Sequence, residues 1–81
     1  MTSHSEVTID LIKTIIRGVL DKFGMDIVVK RAKKGHFRTK VQVCTSPTFY
    51  SWVFQWDGRI RIEEPEDVVA EYREMAFNAL E

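Results

Sequence analysis

The stretch from residue 46 to residue 65, Ser-Pro-Thr-Phe-Tyr-Ser-Trp-Val-Phe-Gln-Trp-Asp-Gly-Arg-Ile-Arg-Ile-Glu-Glu-Pro, constrains this chain more than any other part of it. Positions 49–56 hold five of its nine aromatic residues. A short chain that gathers its bulkiest side chains in one place does so to plug one core. Ser46 is a hydroxyl N-cap and Pro47 suits the first helical position, so a helix starts here. Phe49, Trp52, Val53 and Trp56 fall on one helical stripe, which Tyr50 and Phe54 widen to most of the circumference. The competing reading leaves one or two of Tyr50, Phe54 and Trp56 exposed as a partner surface. Asp57-Gly58 ends the helix, and Ile60 and Ile62 then alternate with Arg59, Arg61 and Glu63 as a strand.

The remaining segments follow from periodicity. Val7, Ile9 and Leu11 alternate with Thr8 and Asp10, the pattern of a strand with one buried face. Ile15, Ile16, Val19, Leu20 and Phe23 recur at helical spacing, and Gly24 stops that helix. Gly18 inside it costs about 1 kcal/mol against Ala and lets the helix sit close to a sheet. Residues 27–30 form a second strand, and residues 31–35 a charged connection with a glycine for the turn. In residues 36–44, Phe37, Thr39, Val41 and Val43 share one face while Arg38, Lys40 and Gln42 share the other. Pro65 opens a last helix, with Glu66 and Asp67 in its first turn. Its apolar face runs through Val68, Val69, Tyr72, Met75, Ala76, Ala79 and Leu80. The order is βαββαβ plus a C-terminal helix. This is an α+β, ferredoxin-like split βαβ: a four-stranded antiparallel sheet with helices on one face. Residues 1–5 read as a disordered leader, and residues 6–81 as a single domain.

An 81-residue chain is one small domain. No apolar run reaches the ~18–20 residues of a membrane span. The N-terminus lacks a secretory pattern. The single Cys44 allows neither an internal disulfide nor a cysteine-based zinc site. A cytoplasmic protein with no membrane partner is expected. The net charge of zero conceals an asymmetry. The middle of the chain is basic through Lys30, Arg31, Lys33, Lys34, Arg38, Lys40, Arg59 and Arg61. From Glu63 onward it is acidic. Such a bipolar surface can steer charged partners or pair head-to-tail with a copy of itself, although a solvated surface of mixed sign is the plainer reading.

Catalytic constellations are hard to find, and no enzyme, cofactor or metal site is expected. His4 falls in the leader and His36 at the hairpin tip, where an exposed turn residue is the plain reading. Cys44 precedes a helix start, which lowers a thiol pKa in some proteins, but it reads as a half-buried structural thiol. Glu63, Glu64, Glu66 and Asp67 flank a helix start and complement its dipole. Acylphosphatases share this topology but need an arginine-bearing phosphate loop after the first strand and a downstream asparagine. The corresponding connection here is Ile12-Lys13-Thr14, and the only asparagine is Asn78. RNA-recognition modules stack bases on aromatics of the open sheet face, whereas Phe37 is in phase with the core. What the open face offers is charge. Arg38, Lys40, Arg59 and Arg61 are the candidate anion contacts, for a phosphate-bearing ligand or single-stranded nucleic acid.

Residues 46–68 carry a resemblance. They are similar to the C-terminal extension of bacterial WYL-domain transcriptional regulators, a module with Phe or Tyr, then Trp-Leu, an "fGG" turn, a short strand, a proline and a closing helix. The matching positions are Phe49-Tyr50, Trp52-Val53, Trp56-Asp57-Gly58, Ile60-Arg61-Ile62 and Pro65. Upstream, the strand from Val7, the helix ending Asp21-Lys22-Phe23-Gly24 and the hairpin agree. Trp56 and Asp57 depart from the usual phenylalanine-glycine. The motif consists of core and turn residues. The resemblance implies a non-enzymatic regulatory or dimerisation module of a DNA-binding regulator. Its partners would be the helix-turn-helix and WYL domains of the parent protein, and it would act as a homodimer or by sensing an anionic effector or nucleic acid.

Overall fold

The structure, a computed structural model, describes residues 4–79. Strand β1 spans His4–Ile12. A 3-10 turn at Lys13–Ile15 leads into helix α1, Ile16–Phe23. Strands β2 (Val29–Arg31) and β3 (His36–Cys44) form a hairpin, followed by α2 (Pro47–Phe54), β4 (Ile60–Glu64) and α3 (Glu66–Ala79). The sheet order is β2-β3-β1-β4 and every pairing is antiparallel, the expected ferredoxin-like topology.

The period-2 pattern sorts the sheet's two faces. Val7, Ile9 and Leu11 of β1 point into the core with Val41, Val43, Ile60 and Ile62. Val19 of α1, Phe49, Tyr50 and Val53 of α2, and Val68 of α3 close that core from the helical side. Each such side chain contributes about 1.5–3 kcal/mol relative to remaining exposed. Ser46 caps α2 as its sequence requires, its Oγ accepting from the Phe49 N–H at 3.5 Å.

Several expectations need correction. His4 and Ser5, expected in the leader, belong to the sheet, where they pair with Cys44 and Val43; residues 1–3 lie outside the described residues. The second strand is shifted from 27–30 to Val29–Arg31. The Thr39 hydroxyl donates to the Val28 carbonyl at 2.6 Å, and the Val28 side chain stands out in solvent. In and just after α2 the most buried aromatic is Tyr50, 1% exposed, while Trp52 and Trp56 are only partly buried and Phe54 is half exposed. Gly18 makes its close approach to the Trp56 ring, not to the sheet. Helix α3 begins one residue after Pro65, whose carbonyl accepts from the N–H groups of Val68 and Val69 at 3.1 Å. Of its anticipated apolar face, Val69, Tyr72 and Met75 pack against the core, Ala79 is exposed, and Leu80 lies outside the described residues.

Two turns depend on left-handed backbone. Arg59 N–H donates to Trp56 C=O at 3.1 Å, with Asp57 at φ +53° and Gly58 at φ +83°. Two successive positive φ values are the type I′ requirement, which Asp and Gly meet best. At the β2–β3 tip, His36 N–H donates to Lys33 C=O at 2.9 Å with Gly35 at φ +78°, the glycine position of a type II turn.

Candidate functional site on the open sheet face

With the helices on one side, the other sheet face carries the even-numbered residues of β1 and β3 and Arg61 of β4. Asp10 lies at its centre, opposite Arg38 on one side and Arg61 on the other. Thr8 is flanked in the same way by Lys40 and Glu64. These long neighbours cover the short side chains of the central strand, so Asp10 is only 5% exposed although no helix covers it.

A buried carboxylate needs partners. His36 Nδ1 donates to Asp10 Oδ1 at 2.6 Å. Arg38 Nη2 stands 3.9 Å from Asp10 Oδ2 and donates to Glu63 Oε1 at 3.3 Å. The network His36–Asp10–Arg38–Glu63 thus ties β3, β1 and β4 together across the face. Glu63 reaches it through an irregularity in the ladder: Ile62 faces Ile9 but Glu64 faces Thr8, which leaves Glu63 as the extra, bulged residue. His36 is therefore not a free turn residue. It opens β3, and its side chain is 28% exposed.

The four expected cations differ in state. Arg38 is engaged by Glu63. Lys40 and Arg61 are exposed, and among the described residues neither has an ion-pair partner. Arg59 stands just outside β4, its carbonyl accepting from the Ile12 N–H at 3.0 Å, so it lies at the rim. Next to Lys40 is a concavity of about 580 Å³ whose lining includes Thr8, Lys30, Arg31 and Arg38. A second, of about 600 Å³, surrounds the hairpin tip with Lys13, Lys33 and Lys34. The exposed positive charge of the face gathers at its β2–β3 side. Among the described residues the face has no aromatic platform on which bases would stack. Sequence reasoning placed Asp10 here but missed its burial and its bond to His36, because both depend on cross-strand register over a sequence separation of 26.

Elsewhere the chemistry is structural. Cys44 is a partly buried free thiol. Among the described residues no three or more His, Cys, Asp or Glu side chains converge to hold a metal ion, and no helix is long and apolar enough to cross a membrane. Burial pushes the Tyr50 hydroxyl up to about 12, and the Glu71 charge adds to the effect. Burial also raises Tyr72. Neither the Tyr50 hydroxyl nor the Trp56 indole N–H has a hydrogen-bond partner among the described residues.

Comparison with known families gives one match: the family model of the WCX domain covers residues 4–80. Searches of curated proteins and of solved structures found no match.

Proposed function

Since this chain belongs to the WCX domain family, the C-terminal extension of WYL-domain regulators, we propose that it serves such a regulator as a non-enzymatic, cytoplasmic module sensing an anionic effector on its open sheet face. The single observation that carries this reading is the distribution of charge on that face. Lys40 and Arg61 are exposed and, among the described residues, unpaired, while Arg38 is held between Asp10 and Glu63. An arriving phosphate group meets the first two as free cations. It then competes with Glu63 for Arg38, whose guanidinium presents two parallel donors to an oxyanion. Arg59 extends the contact at the rim. Asp10 and His36 hold the central strand's geometry without meeting the ligand.

The test is a calorimetric titration with inorganic pyrophosphate and with a short oligothymidylate, each at two salt concentrations. Binding should weaken with salt, and Arg61→Glu and Lys40→Glu should each reduce it about tenfold. Titrations unchanged by either substitution would count against the reading.

A second reading is self-association, favoured by the strand order. β2 and β3 place Lys30, Arg31, Arg38 and Lys40 at one edge, and β4 with the start of α3 places Glu63, Glu64, Glu66 and Asp67 at the other. Two copies arranged basic edge to acidic edge would be complementary. Sedimentation equilibrium over a wide concentration range decides it: a salt-sensitive dimer supports it, and a strict monomer removes it.

A further inference from the structure

The ladder between β2 and β3 stops early. β2 pairs with β3 only over Phe37–Thr39, while β1 accompanies β3 to Cys44 on the other side. In an antiparallel pair, alternate residues turn both backbone groups to the same neighbour. The Ala32 N–H donates to the His36 carbonyl, so the even-numbered residues of β3 face the β2 side. Gln42 and Cys44 therefore direct their N–H and C=O outward, and no hydrogen bond among the described residues meets them there. The same edge runs along a continuous depression. One part, of about 260 Å³, lies between Phe23, Ile27 and Gln42, and the next, of about 250 Å³, between Phe23, Lys22 and Val43. The two share Phe23 and Gln42, so they form one trough beside the strand.

We propose that this trough is a strand-addition site for an extended acidic segment of a partner, which would continue the line of β2 along Gln42 and Cys44. Charge chooses the occupant. Lys22 stands at one end of the trough, Lys40 at the other and Lys30 and Arg31 beyond it, with Asp26 the only acid among the described residues that line it. Backbone hydrogen bonds supply the docking, and side-chain alternation supplies the selectivity. Apolar residues of the incoming strand face the half-buried Phe23 and Ile27 on the helical side; acidic residues alternate with them toward Lys40. A segment alternating Val or Ile with Glu or Asp fits both demands. This edge shares Lys40 with the anion-sensing face, but its backbone groups at Gln42 and Cys44 and the Lys22 charge belong to the trough alone, so amide protection and Lys22→Glu separate the two readings.

The experiment uses the whole chain and a capped Val-Glu-Val-Glu-Val-Glu peptide, read by residue-resolved amide exchange. The Gln42 and Cys44 amides should slow by about tenfold or more on binding, as solvent-facing N–H groups become bonded. Methylating alternate peptide nitrogens should abolish this in one of the two phases. A Val-Lys peptide should fail to bind. Lys22→Glu should weaken the peptide while leaving the pyrophosphate titration unchanged. Protection absent from these two amides, equal binding of the Val-Lys peptide, or indifference to both methylation phases would each overturn the proposal. Protection that rises with protein concentration and without peptide would overturn it in favour of a second copy.

Discussion

Gly18 lies beneath the Trp56 indole so closely that a Cβ on Gly18 would come within 2.6 Å of the ring. The glycine sits in α1 and the tryptophan after α2, so this contact sets how near the two helical segments approach. Gly18→Ala gains helix propensity but overpacks the contact. It should lower stability by about 1–2 kcal/mol in a urea titration. In a Trp56→Leu background the same substitution should be neutral or stabilising, because only the propensity remains.

The turn at Asp57 offers a cleaner backbone test. At φ +53° an aspartate is tolerated and a β-branched residue is strained. Asp57→Gly should be neutral or slightly stabilising, and Asp57→Val should cost about 1–2 kcal/mol, both measured as shifts of the urea midpoint at constant slope.

Alkaline pH should act through Tyr50. In the unfolded chain its phenol titrates near 10.0; in the folded chain burial and Glu71 hold it to about 12. Across that interval the unfolded state loses its proton while the folded state keeps it, so unfolding gains ground as pH rises. The contribution is fully present below pH 10. Tyr50→Phe should be no less stable at pH 7 and should flatten the decline above pH 10. An equally steep decline in the variant would assign the effect elsewhere, with Tyr72 next in line because burial raises it too.

Releasing Arg38 from Glu63 should expose a third cation on the open face. Glu63→Gln should raise the affinity for inorganic pyrophosphate several-fold, about 1 kcal/mol. It should change the unfolding free energy little, because the pair is partly exposed. If affinity stays level, Arg38 does not contact the anion.

Much of the architecture is legible in the sequence because it is written in short-range periods. The alternation of Val7, Ile9 and Leu11 and the capped start at Ser46-Pro47 need no knowledge of distant residues. The same is true of the Asp57-Gly58 turn. The open face is partly legible too: alternation assigns Thr8, Asp10, Arg38 and Lys40 to one side of the sheet. What escapes is information held between elements. The bond from His36 to Asp10 exists because the register of β1 on β3 sets their ends side by side. Tyr50 outranks Trp52 and Trp56 in burial because α3 covers it, with Tyr72 5.7 Å away, whereas Trp52 meets Phe23 edge-on and Trp56 meets Trp52 edge-on at the margin. Arg38 looked as available as Lys40 until the bulge placed Glu63 beside it.

That bulge settles where the chain keeps its negative charge. Two glutamates in succession would, in an unbroken ladder, send one side chain to each face. The extra residue lets Glu63 and Glu64 both stay outside the core. Negative density therefore collects at the C-terminal end of β4, past Arg61, and in the first turn of α3, while positive density collects at β2 and β3. A domain of zero net charge thereby acquires a moment directed across the width of its sheet. Near a polyanion it would experience a torque before any contact, turning the β2–β3 edge forward and the α3 side away.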